Sequence, residues 1–242
     1  MSMKEFNALD GALLIDKPAG PTSHDIVDTV RQCYRIKKVG HCGTLDPAAT
    51  GLLTLLLGKA TKLSEKMMSN DKVYVGSMKL GETTNTFDAE GEIDETKPVP
   101  GLDLEALQEK ANDFLGDQLQ LPPMVSAIKI NGTPLYKLAR KGIEVERRKR
   151  FIHVYNFQIT EYKSPFAWFK VACTKGTYVR ALAHDLGQAL GCGAHLAGLR
   201  RTVSGKFKVS AATPLEELTT LSPDALPRRV VPMLQLSAAT EL

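Results

Sequence analysis

The sequence predicts an α+β fold with a mixed, largely antiparallel sheet and flanking helices. Strand-like and helix-like segments alternate irregularly along the 242 residues, without the regular βαβ repeat that builds a doubly wound sheet. Hydrophobic residues make up 43% of the chain, which is enough to bury an independent globular core. The sequence has no internal repeat and no break in composition, so we expect a single domain over residues 1–242.

Apolar runs bounded by glycine and proline define the elements of the first third of the chain. They predict, in order, a strand at 11–16, a helix over 24–35 capped by Ser23, a strand at 52–57, a short helix near 60–68 and a strand at 72–80. Two prolines and Gly20 prevent the first strand from continuing. Alternation within 72–80 places Tyr74 and Met78 on one face of the strand, opposite Val75.

Helical spacing and turn residues define the later elements. Asp103 is suited to cap a helix, because apolar residues recur at helical intervals from Leu104 to Leu115. Residues 121–150 have the pattern of an insertion that holds a short strand, an Asn-Gly turn and a helical turn. After it we expect strands at 151–162 and 167–173, a helix over 178–189 and a strand pair around 197–209.

Charge is strongly segregated along the chain. The stretch 88–117 holds ten carboxylates and two lysines, whereas the stretch 129–150 holds eight Lys or Arg and two Glu. The second stretch ends in the basic run 147–150, which has the character of a polyanion-binding surface. A charged hairpin that is merely solvated explains the same pattern, so charge alone does not decide the partner.

Several classes of function are excluded by what the sequence lacks. The longest strongly apolar run, residues 52–57, is far shorter than the ~18–20 residues of a membrane-spanning helix, and the first ten residues contain no signal-peptide core. The sequence has no phosphate-binding loop, nucleophile elbow, dinucleotide fingerprint or zinc-binding cysteine pair. We therefore expect a cytoplasmic protein with reduced thiols, no membrane association, no metal and no nucleotide cofactor.

One carboxylate stands in an unusual setting. Asp46 precedes Pro47, which restricts it to an extended conformation, and Gly40 and Gly43 allow the preceding chain to turn tightly. Such a loop can hold a single carboxylate in one pose, as a nucleophile or a general base requires. An ordinary turn, in which the aspartate only accepts backbone hydrogen bonds, has the same local pattern.

The Asp46 loop is one of seven motif-like blocks that follow one another along the sequence. They are Asp16-Lys17-Pro18 with Thr22-Ser23, His41-Cys42-Gly43-Thr44-Leu45-Asp46-Pro47-Ala48-Ala49-Thr50-Gly51, Lys72-x-Tyr74 with Leu80-Gly81, Thr84-x-Thr86-x-Asp88-x-x-Gly91, Pro122-Pro123 with Ser126-Ala127, Lys129, Tyr136 and Ala139-Arg140, Lys175-Gly176-Thr177-Tyr178-Val179-Arg180 with Asp185-Leu186-Gly187, and Leu199-Arg200-Arg201-Thr202. Over about residues 10–208 the chain resembles the tRNA pseudouridine synthase B family, the isomerases that convert a uridine in the T loop of tRNA (position 55) to pseudouridine. The resemblance implies the pseudouridine synthase fold, a central catalytic cleft and a tRNA-modifying enzyme that needs no cofactor.

The resemblance also implies the catalytic residues. In that family the loop aspartate is the essential nucleophile, a role that falls on Asp46 here; whether it attacks the sugar or the base stays open. Arg180 matches the family's arginine, which implies that it pairs with Asp46, lowers the pKa of that carboxyl and fixes its direction. Tyr74 matches the aromatic residue that stacks on the extruded base, and its hydroxyl is suited to move a proton.

Five further residues are expected to contact or position the substrate. His41 matches a histidine near the space that the extruded base leaves, and Tyr178 and Leu199 are expected to wall the pocket. Asp88 is expected to anchor a hydrogen-bond network rather than to perform a step. Lys17 can line the pocket or support the scaffold.

The inserted segment 121–150 corresponds to the thumb that folds over the RNA stem-loop in the resembling enzymes. We expect its basic residues to contact phosphates and to give a salt-dependent affinity: Lys129, Arg140, Lys141, Arg147, Arg148, Lys149 and Arg150. Many members of the family continue into a C-terminal RNA-binding domain of the PUA type, and we expect none in this chain of 242 residues. Either a short helix such as 214–218 closes the domain, or RNA affinity depends more heavily on the inserted segment. The expected partner is the T stem-loop of tRNA, bound by a monomer.

Two other classes of function remain open at this stage. A noncatalytic chaperone would use the same extrusion of a uridine to help tRNA fold. A hydrolase with Asp46 and Asp88 as its carboxylate pair would release free uracil. Cys42 and Asn85 differ from the residues that are common in the family, but neither change removes a catalytic group.

Overall fold

The computed structural model of the protein describes residues 8–126, 129–130, 132–139, 142–143 and 145–237. The strands are β1 (Gly11–Lys17), β2 (Val39–His41), β3 (Thr50–Leu57), β4 (Lys72–Leu80), β5 (Glu82–Thr84), β6 (Ile93–Thr96), β7 (Gly116–Gln120), β8 (Lys129–Ile130), β9 (Thr133–Pro134), β10 (Arg150–Lys163), β11 (Phe166–Cys173), β12 (Ala194–Ser204), β13 (Phe207–Lys208), β14 (Thr213–Pro214) and β15 (Val230–Pro232). The helices are α1 (Ser23–Tyr34), α2 (Ser64–Met68), α3 (Leu104–Asn112), α4 (Leu135–Ala139), α5 (Val179–Ala189), α6 (Leu215–Thr220) and α7 (Met233–Ser237). Short 3₁₀ segments occur at Gly58–Leu63, Val209–Ala211 and Pro223–Arg229.

The chain forms two compact units. The first unit contains residues 1–73 and 200–242, and the second unit contains residues 74–199. β4 and β12 each begin in one unit and end in the other. The expectation of a single domain over residues 1–242 stays a prediction. Across the described ranges, no helix has both the length and the apolar composition that crossing a membrane requires.

The sheet of the first unit is built around β1 and β3. These two strands are antiparallel along the whole of β1, from Gly11 to Lys17. β2 and β15 add antiparallel pairs to them, whereas β14 and the end of β12 add short parallel pairs. β1 and β3 are buried almost throughout, which explains why both strands are continuous apolar runs rather than alternating ones.

α1 begins with a reciprocal capping box. The hydroxyl of Thr22 accepts from the backbone N–H of Asp25 at 3.1 Å, and the Asp25 carboxylate accepts from the N–H of Thr22 at 2.8 Å. The prediction that Ser23 caps this helix was therefore wrong by one residue. The box needs an acceptor side chain three residues after the cap, and Asp25 satisfies that spacing only for Thr22.

The second unit contains a sheet in the order β4, β11, β10 and β7, together with α3 and α5. β10 is antiparallel to both β11 and β7, and the rings of Phe157 and Phe169 meet edge to face beneath it at 5.6 Å. The side chain of Gln108 on α3 bonds the backbone of Phe157 and Ile159. The predicted α+β class with a mixed, largely antiparallel sheet is confirmed.

The described parts of segment 121–150 contain the β8–β9 hairpin and α4. Lys129 lies opposite Pro134 and Ile130 opposite Thr133, and Leu135 at the start of α4 is fully buried. The described residues of the expected strand form β8 at Lys129–Ile130, and the expected helical turn is α4 at Leu135–Ala139. The use of this segment as a thumb stays a prediction.

Candidate active site

The loop that carries Asp46 is held from both sides through its backbone. On one side, the hydroxyl of Ser23 accepts from the N–H of Leu45 at 2.9 Å and donates to its carbonyl at 3.1 Å. On the other side, the carbonyl of Pro47 accepts from the N–H of Gly20 at 2.9 Å. Asp46 itself is half-buried. The loop can therefore present one carboxylate in a fixed pose.

Lys17 supports the same loop. Its side chain is fully buried, and its ammonium group donates to the carbonyls of Pro18, Pro47 and Ala49 at 2.9, 3.0 and 2.7 Å. A buried lysine is tolerated when its donors are satisfied in this way. These contacts support the loop, and the expected contact of Lys17 with the substrate stays a prediction.

Arg201 also contacts this loop, and the sequence did not identify it as a site residue. Arg201 is 1% exposed, and its guanidinium donates to the carbonyls of Leu52 at 2.7 Å, Gly43 at 3.0 Å and Thr44 at 3.4 Å. The parallel pairing of β12 with β3 sets Arg201 opposite Gly51. A Cβ on that glycine would lie 2.3 Å from the carbonyl oxygen of Arg201, so glycine is required there. The motif Leu199–Thr202 contained the signal, but a local pattern does not show which backbone an arginine bonds.

The two residues that follow Gly40 have shifted pKa values. Burial lowers the pKa of His41, and the charges of Arg201 and His24 act in the same direction. The imidazole is therefore neutral near neutral pH, and its Nδ1 is buried without a hydrogen-bond partner among the described residues. Burial raises the pKa of Cys42 to about 11, so this thiol stays protonated and does not compete with a carboxylate nucleophile.

In the second unit, Arg180 and Asp88 form a buried ion pair. Arg180 Nη1 donates to Asp88 Oδ2 at 3.1 Å and to the carbonyl of Thr86 at 3.3 Å, while Nη2 donates to the carbonyl of Val125 at 2.9 Å. Asp88 Oδ1 accepts from the hydroxyl of Thr86 at 2.6 Å and from the N–H of Glu90 at 3.1 Å. Asp88 thus takes part in a network of hydrogen bonds, and its expected role beside the substrate stays a prediction. The pairing of Arg180 with Asp46 stays a prediction.

The remaining predicted substrate contacts lie on strands and at a helix start. Tyr74 is 8% exposed in β4, and Leu199 is half-buried in β12. Tyr178 is the N-cap residue of α5, where Gln120 bonds both its N–H, at 2.8 Å, and its carbonyl, at 3.0 Å. These two hydrogen bonds fix the backbone of Tyr178, two residues before Arg180.

The predicted RNA-binding residues differ in their surroundings. Arg147 donates to the carbonyl of Pro122 at 3.0 Å, which ties the two ends of the inserted segment together. Arg148, Lys149 and Arg150 are exposed. Lys129 lies in β8, whereas Arg140 and Lys141 lie outside the described residues. Within the described ranges, no group of three or more His, Cys, Asp or Glu residues is arranged to hold a metal ion.

Two protein-family models match the chain. The model for the TruB family pseudouridylate synthase (N terminal domain) matches residues 31–179. The model for the tRNA pseudouridylate synthase B C-terminal domain matches residues 180–236. The first match alone covers more than half of the chain. Together with the fold and the Asp46 loop, these matches define an isomerase of the pseudouridylate synthase class.

Curated relatives give the family within that class. A "tRNA pseudouridine synthase B" from Opitutus terrae is 52% identical over 227 residues, which is 94% of each chain. A protein of the same name from Syntrophotalea carbinolica is 45% identical over 219 residues, which is 90% of this chain and 72% of that protein. The chain belongs to the TruB family of pseudouridylate synthases.

Solved structures support the fold. A chain from a "Cbf5-Nop10-Gar1 Complex" aligns with a TM-score of 0.72 at 28% identity, over 96% of this chain and 66% of that chain. A chain from an "H/ACA RNP bound to a substrate RNA containing 2'-deoxyuridine" aligns with a TM-score of 0.70 at 27% identity. The protein spans 60% of the length of the latter chain.

Proposed function

We propose that the protein converts a uridine in the T loop of tRNA to pseudouridine, with Asp46 as the nucleophile. The observation that carries the proposal is the loop around Asp46, whose backbone is bonded by Ser23, Lys17 and Arg201. Rigid placement of one carboxylate is what a reaction without a cofactor requires. The relatives named tRNA pseudouridine synthase B support tRNA as the substrate.

The proposed reaction is an isomerisation in which no atom is gained or lost. The uridine is first extruded from its stack, which costs a few kcal/mol, and stacking on Tyr74 offsets part of that cost. Asp46 traps the detached state when the bond between N1 and C1′ breaks. The base then turns, C5 bonds to C1′, the C5 proton leaves and N1 gains a proton. The hydroxyl of Tyr74 is suited to carry a proton in this exchange.

Arg180 acts in this proposal by directing Asp46. A guanidinium beside a carboxylate favours the ionised form, which is the nucleophilic one. The bonds from Arg180 to Asp88 and to two carbonyls restrict the directions in which its remaining donors can point. Because the Asp88 carboxylate accepts from three donors, it is not arranged to donate a proton as the acid of a hydrolase.

The T stem-loop specificity, the thumb, the monomeric state and the cytoplasmic location belong to the same proposal. The exposed Arg148, Lys149 and Arg150 support an electrostatic contact with RNA phosphates. Selectivity would then come from the shape of the folded T loop and its unstacked bases rather than from these charges.

The Asp46→Asn variant tests the proposal, because it removes the charge and keeps the shape. We expect the variant to bind a T stem-loop RNA with a Kd within about twofold of the parent and to make no pseudouridine. Asp113→Asn is the matched control, since Asp113 is exposed and pairs with Lys110 at the end of α3. Normal turnover by Asp46→Asn would refute the nucleophile, and release of free uracil by the parent would indicate the hydrolase instead. If an inactive Asp46→Asn variant promotes tRNA folding as well as the parent does, the protein has a chaperone role in addition to catalysis.

A further inference from the structure

A strained turn next to Asp88 is held against α5 by two stacked rings. Phe87 has a φ of +66°, in the left-handed region that bulky side chains rarely adopt. Its ring stacks on the imidazole of His184, with 3.9 Å between centroids and 20° between planes. Backbone strain of this kind persists only where the surroundings fix it, and it is concentrated at functional sites.

The stack and the Arg180–Asp88 ion pair join the same two elements. Arg180 and His184 are four residues apart on α5, so they lie on one face of the helix. Phe87 and Asp88 are consecutive in the turn. Two successive residues of the turn therefore contact this face of the helix. Asp88 forms the ion pair with Arg180, and the ring of Phe87 stacks on that of His184.

Backbone bonds to β12 fix the other side of the turn. The N–H of Leu196 donates to the carbonyl of Phe87 at 2.9 Å, and the N–H of Ala89 donates to the carbonyl of Leu196 at 2.9 Å. Asp88 lies between these two bonds and forms an isolated parallel bridge with Leu196. The backbone of the turn is thus anchored on β12, while its side chains are anchored on α5.

We propose that Phe87 and His184 are positioning residues, whose stacked rings hold the turn so that Asp88 directs the guanidinium of Arg180. The inference rests on the proposed function, in which Arg180 in turn directs Asp46. Stacking suits an uncharged imidazole, and burial lowers the pKa of His184. The Nδ1 atom of that ring is buried with no hydrogen-bond partner among the described residues, so packing carries the contact.

A double-mutant cycle tests whether the two rings act as one unit. We expect Phe87→Ala and His184→Ala each to lower kcat about tenfold, with the Kd for a T stem-loop RNA within about twofold of the parent. The double variant should be no slower than either single variant, because both remove the same contact. Phe87→Tyr and His184→Phe keep the stack and should retain the parent's kcat.

Two further variants separate stacking from other effects. Phe87→Gly removes the ring but adopts a positive φ freely, so it should be as slow as Phe87→Ala if the ring is what matters. Phe166→Ala is the matched control, because it removes a ring that pairs with Trp168, at 6.3 Å, elsewhere in the second unit. We expect its kcat to equal that of the parent.

Three results would overturn the inference: alanine variants that lose stability but keep kcat, losses that multiply in the double variant, or full activity in Phe87→Gly. Hydrogen exchange at the amide of Ala89 gives a readout that does not depend on activity. It should be faster in Phe87→Ala and His184→Ala but not in Phe87→Tyr, and unchanged exchange in all three would also overturn the inference. If the parent makes no pseudouridine, the proposed function fails while the exchange experiment still decides the positioning role.

Discussion

At the scale of single residues, buried cations bonded to carbonyl oxygens distinguish the surroundings of Asp46. Lys17 holds the carbonyls that follow Asp46, and Arg201 holds those that precede it. The carbonyl oxygens satisfy donors of both buried groups. The two side chains thus fix the backbone of the loop on both sides of Asp46.

Arg201→Lys tests this arrangement, because lysine keeps the charge but cannot bond three diverging carbonyls in the same fork geometry. We expect kcat to fall at least about tenfold with little change in RNA affinity. The free energy of unfolding should fall by about 2 kcal/mol, because buried carbonyls lose donors. Single-turnover kinetics and urea unfolding provide the measurements.

Arg200→Lys is the control for that experiment. Arg200 pairs with Asp16 at 2.6 and 3.0 Å, but its side chain is 40% exposed, so we expect a loss of stability of less than about 1 kcal/mol. Equal losses of kcat in the two variants would contradict a special role for Arg201.

At the scale of elements, periodic segments were predictable and their ends were not. The apolar runs of β1 and β3 and the helical spacing of α5 gave the right element types nearly to the residue. The helix predicted from Leu104 to Leu115 ends at Asn112, and the helix predicted near 60–68 begins as a 3₁₀ segment. Such ends depend on hydrogen bonds to caps, which apolar spacing does not report.

Some features of the candidate site were predictable from the sequence, and others were not. Asp46 stood out through its proline and glycine neighbours and through the resemblance to a family. The contacts that hold its loop did not, because Ser23 and Leu45 are 22 residues apart and Arg201 and Thr44 are 157 residues apart. The positive φ of Phe87 also has no local signal, since glycine is the usual residue for that conformation.

The capping box of α1 gives a prediction at this scale. Thr22→Ala removes an acceptor for the N–H of Asp25, so the free energy of unfolding should fall by about 1 kcal/mol. Thr29→Ala in the same helix is the matched control, because the Thr29 hydroxyl donates to the carbonyl of Asp25 and caps no N–H at the start of the helix. Urea unfolding compares the two, and an equal effect would show that the box contributes nothing.

At the scale of the whole molecule, the separation of charge along the chain predicts how RNA binding depends on salt. Arg148→Ala combined with Arg150→Ala should weaken binding of a T stem-loop RNA. It should also flatten the plot of log K against log salt concentration by about one to two units, because fewer counterions are released. Filter binding from low to high salt measures the slope. Lys163→Ala is the control, since Lys163 is paired with Glu161; an unchanged slope in the double variant would disprove the thumb contact.

The first unit combines segments that are far apart in the chain, which has a consequence for the order of its synthesis. Its sheet joins β1, near the start of the chain, to β14 and β15, near its end, and its loop needs Arg201. A ribosome delivers the chain from the N-terminus, so these partners arrive after β1 and the Asp46 loop. The Asp46 loop is therefore synthesised long before Arg201, and a nascent chain that stops short of residue 201 lacks this contact with Gly43 and Thr44.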